Sequence, residues 1–348
     1  MRRVLLAVVA ACIFVPAFGQ KDDISRYRKA AEQGIPKGYY NMGVCYEKGY
    51  EVDVDFKQAI EWYTLAADSG YASAQYNLAQ MYYDGRGTAR DYAKAADLYA
   101  KAASQGHVKA QYNLGLCYHE GKGMQKNDTL ARHWLGLAAD SGQVDAMYVL
   151  AGIYAGMYDT TWAIMWYSRA ADEKYVKAQA AAAIMLLAVG DTASVRLAVG
   201  YLKEAAATGN ALAQEVLGTC YYTGRGVDTN YDEAYRLFSL AAGSGNTEAM
   251  TNLGVCMQNG HGTSVRQKEA FKLYDKAARR GNAKAQYNLG LCYYYGTGVE
   301  RNIRISRNWL ELAQNNGALD GRTMHDIEVM LKRIEKEEKK LLETGVKD

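Results

Sequence analysis

The chain has 348 residues, more than one ordinary hydrophobic core serves, so it forms several domains or an array of repeats. It contains 34 glycines and only 2 prolines, which favours many helices over a β-sandwich or a disordered chain. The 41 basic and 38 acidic residues leave a net charge of +3. A general nucleic-acid binder needs a larger basic surplus to neutralise phosphates, so this class is excluded.

Residues 1–19 are predicted to form a secretory signal peptide. Arg2 and Arg3 supply its positive start, an apolar run follows, and small residues before Gln20 suit cleavage there. Two alternatives stay open. One is a retained membrane anchor, for which the apolar run is short, and the other is a lipoprotein attached through Cys12. No later segment is apolar enough to predict a membrane span.

From residue 20 onward the sequence repeats. Residues 20–34 match half a repeat, and residues 35–317 divide into eight repeats, of which six are 36 residues long. Each repeat carries two apolar stripes at helical spacing, separated by glycine-containing turns. A single repeat cannot bury these stripes, so the repeats must stack. The sequence therefore predicts an all-α fold, a right-handed α-solenoid superhelix of about eight helix-turn-helix repeats.

Two repeats in the middle of the array depart from the pattern. Residues 143–174 lack the Gly-x-Gly turn, and residues 175–209 carry alanine and aliphatic residues where other repeats carry tyrosine and asparagine. We expect a change of curvature near residues 155–195, which would leave residues 24–142 and 210–317 as two better preserved surfaces. Sequence drift without structural consequence is the alternative.

Residues 318–348 are predicted to form a charged C-terminal capping helix. Thr323 and Asp326 fit a capping box, and apolar residues recur at helical spacing from Ile327 to Leu341. The last repeat of a solenoid needs a polar outer cover, which this helix would supply. A coiled-coil helix for a partner is the alternative, although its apolar stripe is short.

The repeats resemble the Sel-one-like repeat family, a relative of the tetratricopeptide repeat. The clearest first helix and turn is AQYNLGLCYYYGTGV at residues 285–299, and the resemblance extends over about residues 24–317. It implies the α-solenoid fold but little about function, because packing residues define the family. With the short leader, the chain resembles a bacterial exported member, which implies a periplasmic or secreted protein.

Five cysteines are predicted to be free, buried thiols. They occupy one position of their repeats, where other repeats carry methionine or isoleucine: Cys45, Cys117, Cys220, Cys256 and Cys292. Equivalent helices of stacked repeats lie roughly 9–10 Å apart, whereas a disulfide needs Cα atoms within about 7 Å. The cysteine-rich exported branch of the family pairs its cysteines, so the weak β-lactam hydrolase activity attributed to that branch transfers poorly.

The first helix of each repeat carries the candidate binding residues. In tetratricopeptide arrays this helix lines a concave groove, and the matching residues here are Tyr40, Asn41, Tyr76, Asn77, Tyr112, Asn113, Tyr148, Asn252, Tyr287 and Asn288. Tyrosine gives rigid amphipathic contact area, and asparagine can bond a peptide backbone or sugar hydroxyls. Nearby lysines, Lys37, Lys109 and Lys284, could pair with an anionic end group. Alternatively, these tyrosines and asparagines only pack between repeats.

We therefore predict an exported, non-enzymatic scaffold that binds a protein or an extended peptide in a Tyr/Asn-lined groove. The sequence yields no catalytic, cofactor-binding or metal-binding residues, because the histidines share no ligand spacing and no nucleophile motif occurs. A module that binds cell-wall glycan or peptidoglycan fragments is the alternative, followed by a weak hydrolase.

Overall fold

The structure is a computed structural model that describes residues 24–344, with side chains as far as Lys340. The described residues form eighteen α-helices and no β-strand, which confirms the predicted all-α solenoid class. None of these helices combines the length and the apolar character that a membrane crossing requires.

The chain divides into two compact units at Ile153 and Tyr154, called here the N-terminal and the C-terminal unit. The helices of the N-terminal unit are α1 (Ile24–Glu32), α2 (Pro36–Lys48), α3 (Phe56–Asp68), α4 (Ala72–Asp84), α5 (Tyr92–Ser104), α6 (Val108–Glu120) and α7 (Asp128–Asp140). Helix α8 (Val144–Gly156) contains the boundary.

The helices of the C-terminal unit follow the same alternation of first and second helices. They are α9 (Thr160–Asp172), α10 (Val176–Val189), α11 (Thr192–Ala207), α12 (Ala211–Thr223), α13 (Tyr231–Gly243), α14 (Thr247–Asn259), α15 (Gln267–Ala278), α16 (Ala283–Tyr295), α17 (Ile303–Asn316) and α18 (Gly321–Thr344). Within each unit, consecutive helices pack against each other along the chain.

Helix ends are fixed by residues that recur in the repeats. Most second helices follow an Asp or Asn whose side chain accepts backbone N–H groups, as Asp55 does from Lys57 and Gln58 at 2.9 and 3.1 Å. The second glycine of the Gly-x-Gly turn leaves no room for a side chain, because a Cβ on Gly123 would lie 2.0 Å from the carbonyl oxygen of Tyr92. The turn therefore packs tightly against the second helix of the preceding repeat.

The repeat that lacks the Gly-x-Gly turn has a tighter and less favourable connection. Tyr158 joins α8 to α9 with φ +61° and is 93% exposed. Lys174 adopts φ +62° at the closing position, where Gly142 and Gly209 end the neighbouring repeats. Side chains at such positive φ are strained, so these two residues store strain that glycine would not. The predicted change of curvature nearby stays a prediction.

The core of each repeat combines fully buried alanines with a large side chain from the second helix. Ala74 and Ala110 of the first helices are completely buried, so the helices approach closely. The large side chains that follow at one position of the second helices are Tyr63, Tyr99, Leu135, Leu202, Phe238, Tyr274 and Leu310. A glycine faces several of them, and a Cβ on Gly254 would lie 2.6 Å from the Tyr274 ring.

The prediction of buried, free cysteines is confirmed for all five positions. Burial raises the pKa of Cys117, Cys256 and Cys292 to about 11 in each case. These thiols are therefore protonated and act as apolar core residues.

Helix α18 packs on the last repeat, and it begins differently from the prediction. Its N-cap is Asp320, whose Oδ1 accepts the backbone N–H groups of Arg322 and Thr323, both at 3.0 Å. The predicted capping box at Thr323 is wrong, because the Thr323 hydroxyl instead donates to Asp320 Oδ2 at 2.8 Å. The buried side chains of Ile327 and Ile334 pack in one cluster with Leu310 and Ala313 of α17. The predicted signal peptide and Cys12 lie outside the described residues.

Candidate functional site

One position of the first helices carries the predicted tyrosines. In the N-terminal unit, α2, α4, α6 and α8 each place a half-buried tyrosine there, namely Tyr40, Tyr76, Tyr112 and Tyr148. In the C-terminal unit, α10, α12, α14 and α16 place Ala180, Glu215, Thr251 and Tyr287 at the same position. At this position the N-terminal unit carries tyrosine in all four first helices, whereas the C-terminal unit carries tyrosine only in α16.

The tyrosines of the N-terminal unit pack between helices and stay half-buried. The Tyr76 ring lies 6.0 Å from the Tyr99 ring of α5 and 4.7 Å from His107, on which it stacks at 25°. The Tyr40 ring lies 5.2 Å from Tyr71 in the corresponding place. Burial raises the pKa of Tyr40 and of Tyr76, so both hydroxyls are protonated and can donate hydrogen bonds. Each tyrosine thus packs between helices with an asparagine of the next first helix beside its hydroxyl, Asn77 for Tyr40 and Asn113 for Tyr76.

Asn77 is held by a buried hydrogen-bond network. Its Nδ2 donates to the Tyr63 hydroxyl at 3.1 Å, which donates in turn to Glu47 Oε2 at 2.6 Å. Arg86 also donates to Glu47, at 3.0 Å. Burial opposes ionisation of Glu47, but hydrogen bonds from Tyr63, Lys48 and Arg86 outweigh it and lower its pKa. The network fixes the Asn77 amide and leaves its Oδ1 as an acceptor.

The other predicted asparagines fall into two groups. Asn113 interacts with the Tyr76 hydroxyl and more weakly with the Tyr99 hydroxyl, and in both cases it opposes the rise in pKa that burial causes. Asn252 donates to Glu215 Oε1 at 3.1 Å. Asn41 and Asn288 are partly exposed, and no hydrogen bond from either side chain to another residue within 24–340 is formed. Packing between repeats therefore accounts for part of the recurrence of asparagine.

The remaining tyrosines have separate surroundings. Tyr112 is half-buried, and its pKa is raised first by burial and then by the charges of Asp145 and Glu120. Tyr148 is half-buried on α8. Tyr287 packs against the cluster that α17 and α18 form with the end of α16. These three residues do not line the cleft that Tyr40 and Tyr76 share.

A cleft of about 310 Å³ brings three of the predicted residues together in the N-terminal unit. We call it the tyrosine cleft, and its lining residues are Tyr40, Ser73, Tyr76, Asn77, His107, Val108 and Lys109. They come from three successive first helices, α2, α4 and α6, and from the residue that precedes α6. The cleft combines two half-buried tyrosines, the amide of Asn77 and an exposed lysine, Lys109.

Sequence reasoning missed His107 because its position varies among the repeats. His107 is the N-cap of α6, and its Nδ1 accepts the backbone N–H of Ala110 at 3.2 Å. Burial lowers the pKa of His107, and Lys109 adds to this effect, so the imidazole is neutral. With Nδ1 as the acceptor, Nε2 carries the proton, and His107 is a donor in the wall of the cleft.

A recurring buried glutamine was also missed, although it directly precedes several of the tyrosines. Its Nε2 donates to the last carbonyls of the preceding helix, as Gln75 does to Ala67 at 3.2 Å and Gln286 to Ala278 at 3.2 Å. The full set is Gln75, Gln111, Gln179, Gln214 and Gln286. The sequence signal that could have indicated this structural role is a glutamine that recurs at one position of the repeats, because a recurring polar residue in a packed helix usually has a hydrogen-bond partner.

A second row of polar aromatic residues on the first helices is engaged within the protein. Tyr83 accepts a hydrogen bond from Lys122 at 3.2 Å, and the His119 ring lies 2.7 Å from Asp128. Tyr222 bonds His261 at 2.9 Å. This row is therefore less available to a ligand than the tyrosine cleft.

The three lysines at the start of the first helices also differ. Lys284 forms an ion pair with Glu248 at 2.5 Å. Lys37 and Lys109 are exposed, and neither forms an ion pair with another residue within 24–340. Of these three lysines, only Lys37 and Lys109, both in the N-terminal unit, have a charge that no ion pair compensates.

Comparison with known proteins agrees with the observed repeats. The Sel1 repeat family matches eight consecutive segments, residues 36–71, 72–107, 108–143, 144–175, 176–210, 211–246, 247–282 and 283–317. No curated protein matches the chain.

Two solved structures are similar over most of the chain. One is a protective antigen of uropathogenic Escherichia coli with a Sel1-like repeat fold, at 28% identity and a TM-score of 0.73, covering 89% of this chain and 71% of that one. The other is a Sel1 repeat protein from Oxalobacter formigenes, at 25% identity and a TM-score of 0.65, covering 88% and 90%. This scaffold fold commonly mediates protein–protein interaction and is typically non-enzymatic. The eight matches, together with the packing of the repeats, place the chain in the Sel1 repeat family.

Proposed function

We propose that the protein is an exported, non-enzymatic scaffold that holds an extended segment of another protein in the tyrosine cleft. The observation that carries this proposal is the convergence of Tyr40, Tyr76, Asn77 and Lys109 on one open cleft. The proposal narrows the predicted groove to the N-terminal unit.

The chemistry of the cleft suits a polypeptide backbone. The Asn77 Oδ1 can accept a peptide N–H, while the neutral His107 and the protonated tyrosines can donate to peptide carbonyls. Because the surrounding network already fixes Asn77 and His107, little side-chain entropy is lost when a peptide binds. Lys109 at the rim favours a segment with an acidic residue nearby.

A glycan ligand is supported less well. Sugar rings bind tyrosine through its flat face, but the stacking of Tyr76 on His107, with centroids 4.7 Å apart, covers one of its faces. What the cleft offers is ring edges and hydroxyl groups. This geometry favours a peptide over the cell-wall fragment that the sequence left as an alternative.

The test is affinity capture from an envelope extract of the host, with the chain from Gln20 onward as bait. Tyr76→Ala removes a cleft wall, and Tyr158→Ala is the matched control because Tyr158 is 93% exposed and lies in the other unit. We expect a partner that both the unaltered chain and Tyr158→Ala retain and that Tyr76→Ala loses. Circular dichroism verifies that both variants are folded. Equal capture by all three baits would exclude the tyrosine cleft as the binding site.

A further inference from the structure

A pocket of about 310 Å³ lies in the C-terminal unit, where residues of α11, α12 and α13 form its walls. We call it the leucine pocket, because Leu217, Leu237 and Leu240 form much of its apolar surface. Leu240 is 46% exposed, so the pocket opens to solvent beside an apolar side chain. Its volume lies at the lower end of the range of ligand pockets, which is about 300–1,000 Å³.

The repeats explain why there is space at this place. The position that Leu237 occupies in its repeat carries tryptophan in three other repeats, namely Trp62, Trp134 and Trp309. The Trp62 ring stacks on Tyr39 of the first helix of its repeat, with centroids 6.1 Å apart. Tyr39 holds the same repeat position as Gln214, which lines the leucine pocket. A leucine in place of tryptophan therefore leaves room beside Gln214 that an indole ring fills elsewhere.

Gln214 also carries an unpartnered acceptor in the pocket wall. The residue is 5% exposed, and its Nε2 donates to the Ala206 carbonyl at 3.2 Å. Its Oε1 has no hydrogen-bond partner among the described residues. In the last repeat the equivalent Gln286 Oε1 accepts from Asn316 at 3.2 Å, but Ser244 stands at that position here and is too short. A buried acceptor without a donor is costly, so a donor that enters the pocket is favoured.

We propose that the leucine pocket binds a tryptophan side chain of a partner protein, with the indole N–H donating to Gln214 Oε1. The indole ring supplies a large apolar surface for Leu217, Leu237 and Leu240. Its nitrogen is a donor only, which matches a wall that lacks a donor for its acceptor. Tryptophan is also among the residues that most often dominate the affinity of protein interfaces.

The charged residues of the pocket suit a tryptophan with an acidic neighbour. Arg236 donates to Glu233 through Nε and Nη2 at 2.8 and 2.6 Å, so this pair adds no net charge. A guanidinium group can lie over an indole ring, as Arg169 does in this chain, 4.4 Å from the ring centroid of Trp166. Lys203 lines the pocket, is exposed and forms no ion pair within residues 24–340. Its charge favours an acidic residue next to the tryptophan of the partner.

The test is a nuclear magnetic resonance titration of the full chain with acetyl-aspartyl-tryptophan amide. The methyl groups of Leu217 and Leu240 report from the pocket walls. Leu312, which holds the position of Leu240 in the last repeat and is 47% exposed, is the control methyl group because it does not line the pocket. We expect saturable shifts at Leu217 and Leu240 and none at Leu312.

A second probe isolates the hydrogen bond. It is the same peptide with a methyl group on the indole nitrogen, which removes the donor. We expect this probe to bind roughly fivefold more weakly than the unmodified peptide, as the loss of one hydrogen bond predicts.

Three variants test the pocket itself. Leu237→Trp fills the space with the residue that other repeats carry, and it should weaken binding at least tenfold. Leu273→Trp makes the same change one repeat later, outside the pocket lining, and should bind as the unaltered chain does. Gln214→Met, a residue found at this position as Met147 and Met250, should weaken binding of the unmodified peptide roughly fivefold and leave the methylated probe unaffected.

Thermal melting verifies that the variants are folded, and Gln214→Met decides the question if Leu237→Trp does not fold. The absence of saturation, equal shifts at Leu312, or unchanged binding by Leu237→Trp or by Gln214→Met would each overturn the proposal. The leucine pocket lies in the C-terminal unit and does not depend on the tyrosine cleft, so either site can fail without the other.

Discussion

Replacing Ser141 with glutamine should stabilise the N-terminal unit, because it supplies a missing hydrogen-bond donor. The buried Oε1 of Gln111 has no partner among the described residues. In the preceding repeat, the equivalent Gln75 Oε1 accepts from Gln105 Nε2 at 2.8 Å. Ser141 occupies the place of Gln105 in the next repeat, but its side chain is too short and bonds the Leu137 carbonyl at 2.9 Å instead.

The expected gain follows from these contacts. An unpartnered buried acceptor costs about 1–3 kcal/mol, and ordering an exposed glutamine costs about 1 kcal/mol in side-chain entropy. The bond of Ser141 to Leu137 need not be lost, because Gln105 also reaches the corresponding carbonyl of Lys101 at 3.3 Å. Ser141→Gln should therefore raise the free energy of unfolding by about 1 kcal/mol.

Urea unfolding followed by circular dichroism measures this gain. Gln111→Met provides the background for a double-mutant cycle, since methionine already occupies the equivalent position at Met147 and Met250. In that background the buried amide oxygen of Gln111 is absent, so Ser141→Gln should not change the free energy of unfolding. The reasoning is refuted if Ser141→Gln stabilises both backgrounds equally, or if it fails to stabilise the unaltered chain.

Three further substitutions test other parts of the structure. Tyr158→Gly should raise the free energy of unfolding by about 0.5–1 kcal/mol by removing a strained positive φ, and Tyr158→Ala, which keeps the strain, should not. Gly298→Ala should lower the urea midpoint of the C-terminal unit strongly, because its Cβ would lie 2.3 Å from the Gln267 carbonyl oxygen, whereas Gly281→Ala, with open space around it, should lower it less. Burial raises the pKa of Glu215 in the folded state, so the ionised carboxylate lowers the free energy of unfolding. This destabilisation is absent below the unfolded pKa of about 4.3 and grows as the pH rises towards the folded pKa. Glu215→Gln should therefore be more stable than the unaltered chain at pH 7 and equally stable near pH 4; urea midpoints across this range decide, and a gap that persists at pH 4 would contradict it.

The fold could be predicted because the recurring residues are those that set helix packing. Alanines such as Ala74 and Ala110 and glycines such as Gly123 are required by close contacts, and each contact repeats with the sequence. The first residue of α18 was harder to predict, because Asp320 and Thr323 can both serve as N-cap residues. The structure selects Asp320, which accepts two backbone N–H groups.

The candidate site was predictable only in part, because recurrence does not reveal which residue a side chain contacts. An asparagine recurs at the position of Asn77 in several repeats, yet Asn77 donates to Tyr63 on the preceding helix. Its recurrence therefore reflects packing between helices as well as exposure. His107 and Glu215 break the pattern, and only the structure shows that His107 lines the tyrosine cleft and that Thr219 and Asn252 hold the buried Glu215 carboxylate. The residues that distinguish this chain from a regular array are therefore the ones that repeat analysis discards.

Site-specific photo-crosslinking tests most directly whether the tyrosine cleft binds a partner segment. A benzoylphenylalanine in place of Lys109 lies in the cleft wall, and the same probe in place of Lys101, an exposed residue of α5 that does not line the cleft, is the matched control. Irradiation in host envelope extract should link a partner to the probe at position 109 and not to the probe at position 101. Equal crosslinking from both positions, or crosslinking from position 101 alone, would contradict the proposed binding site.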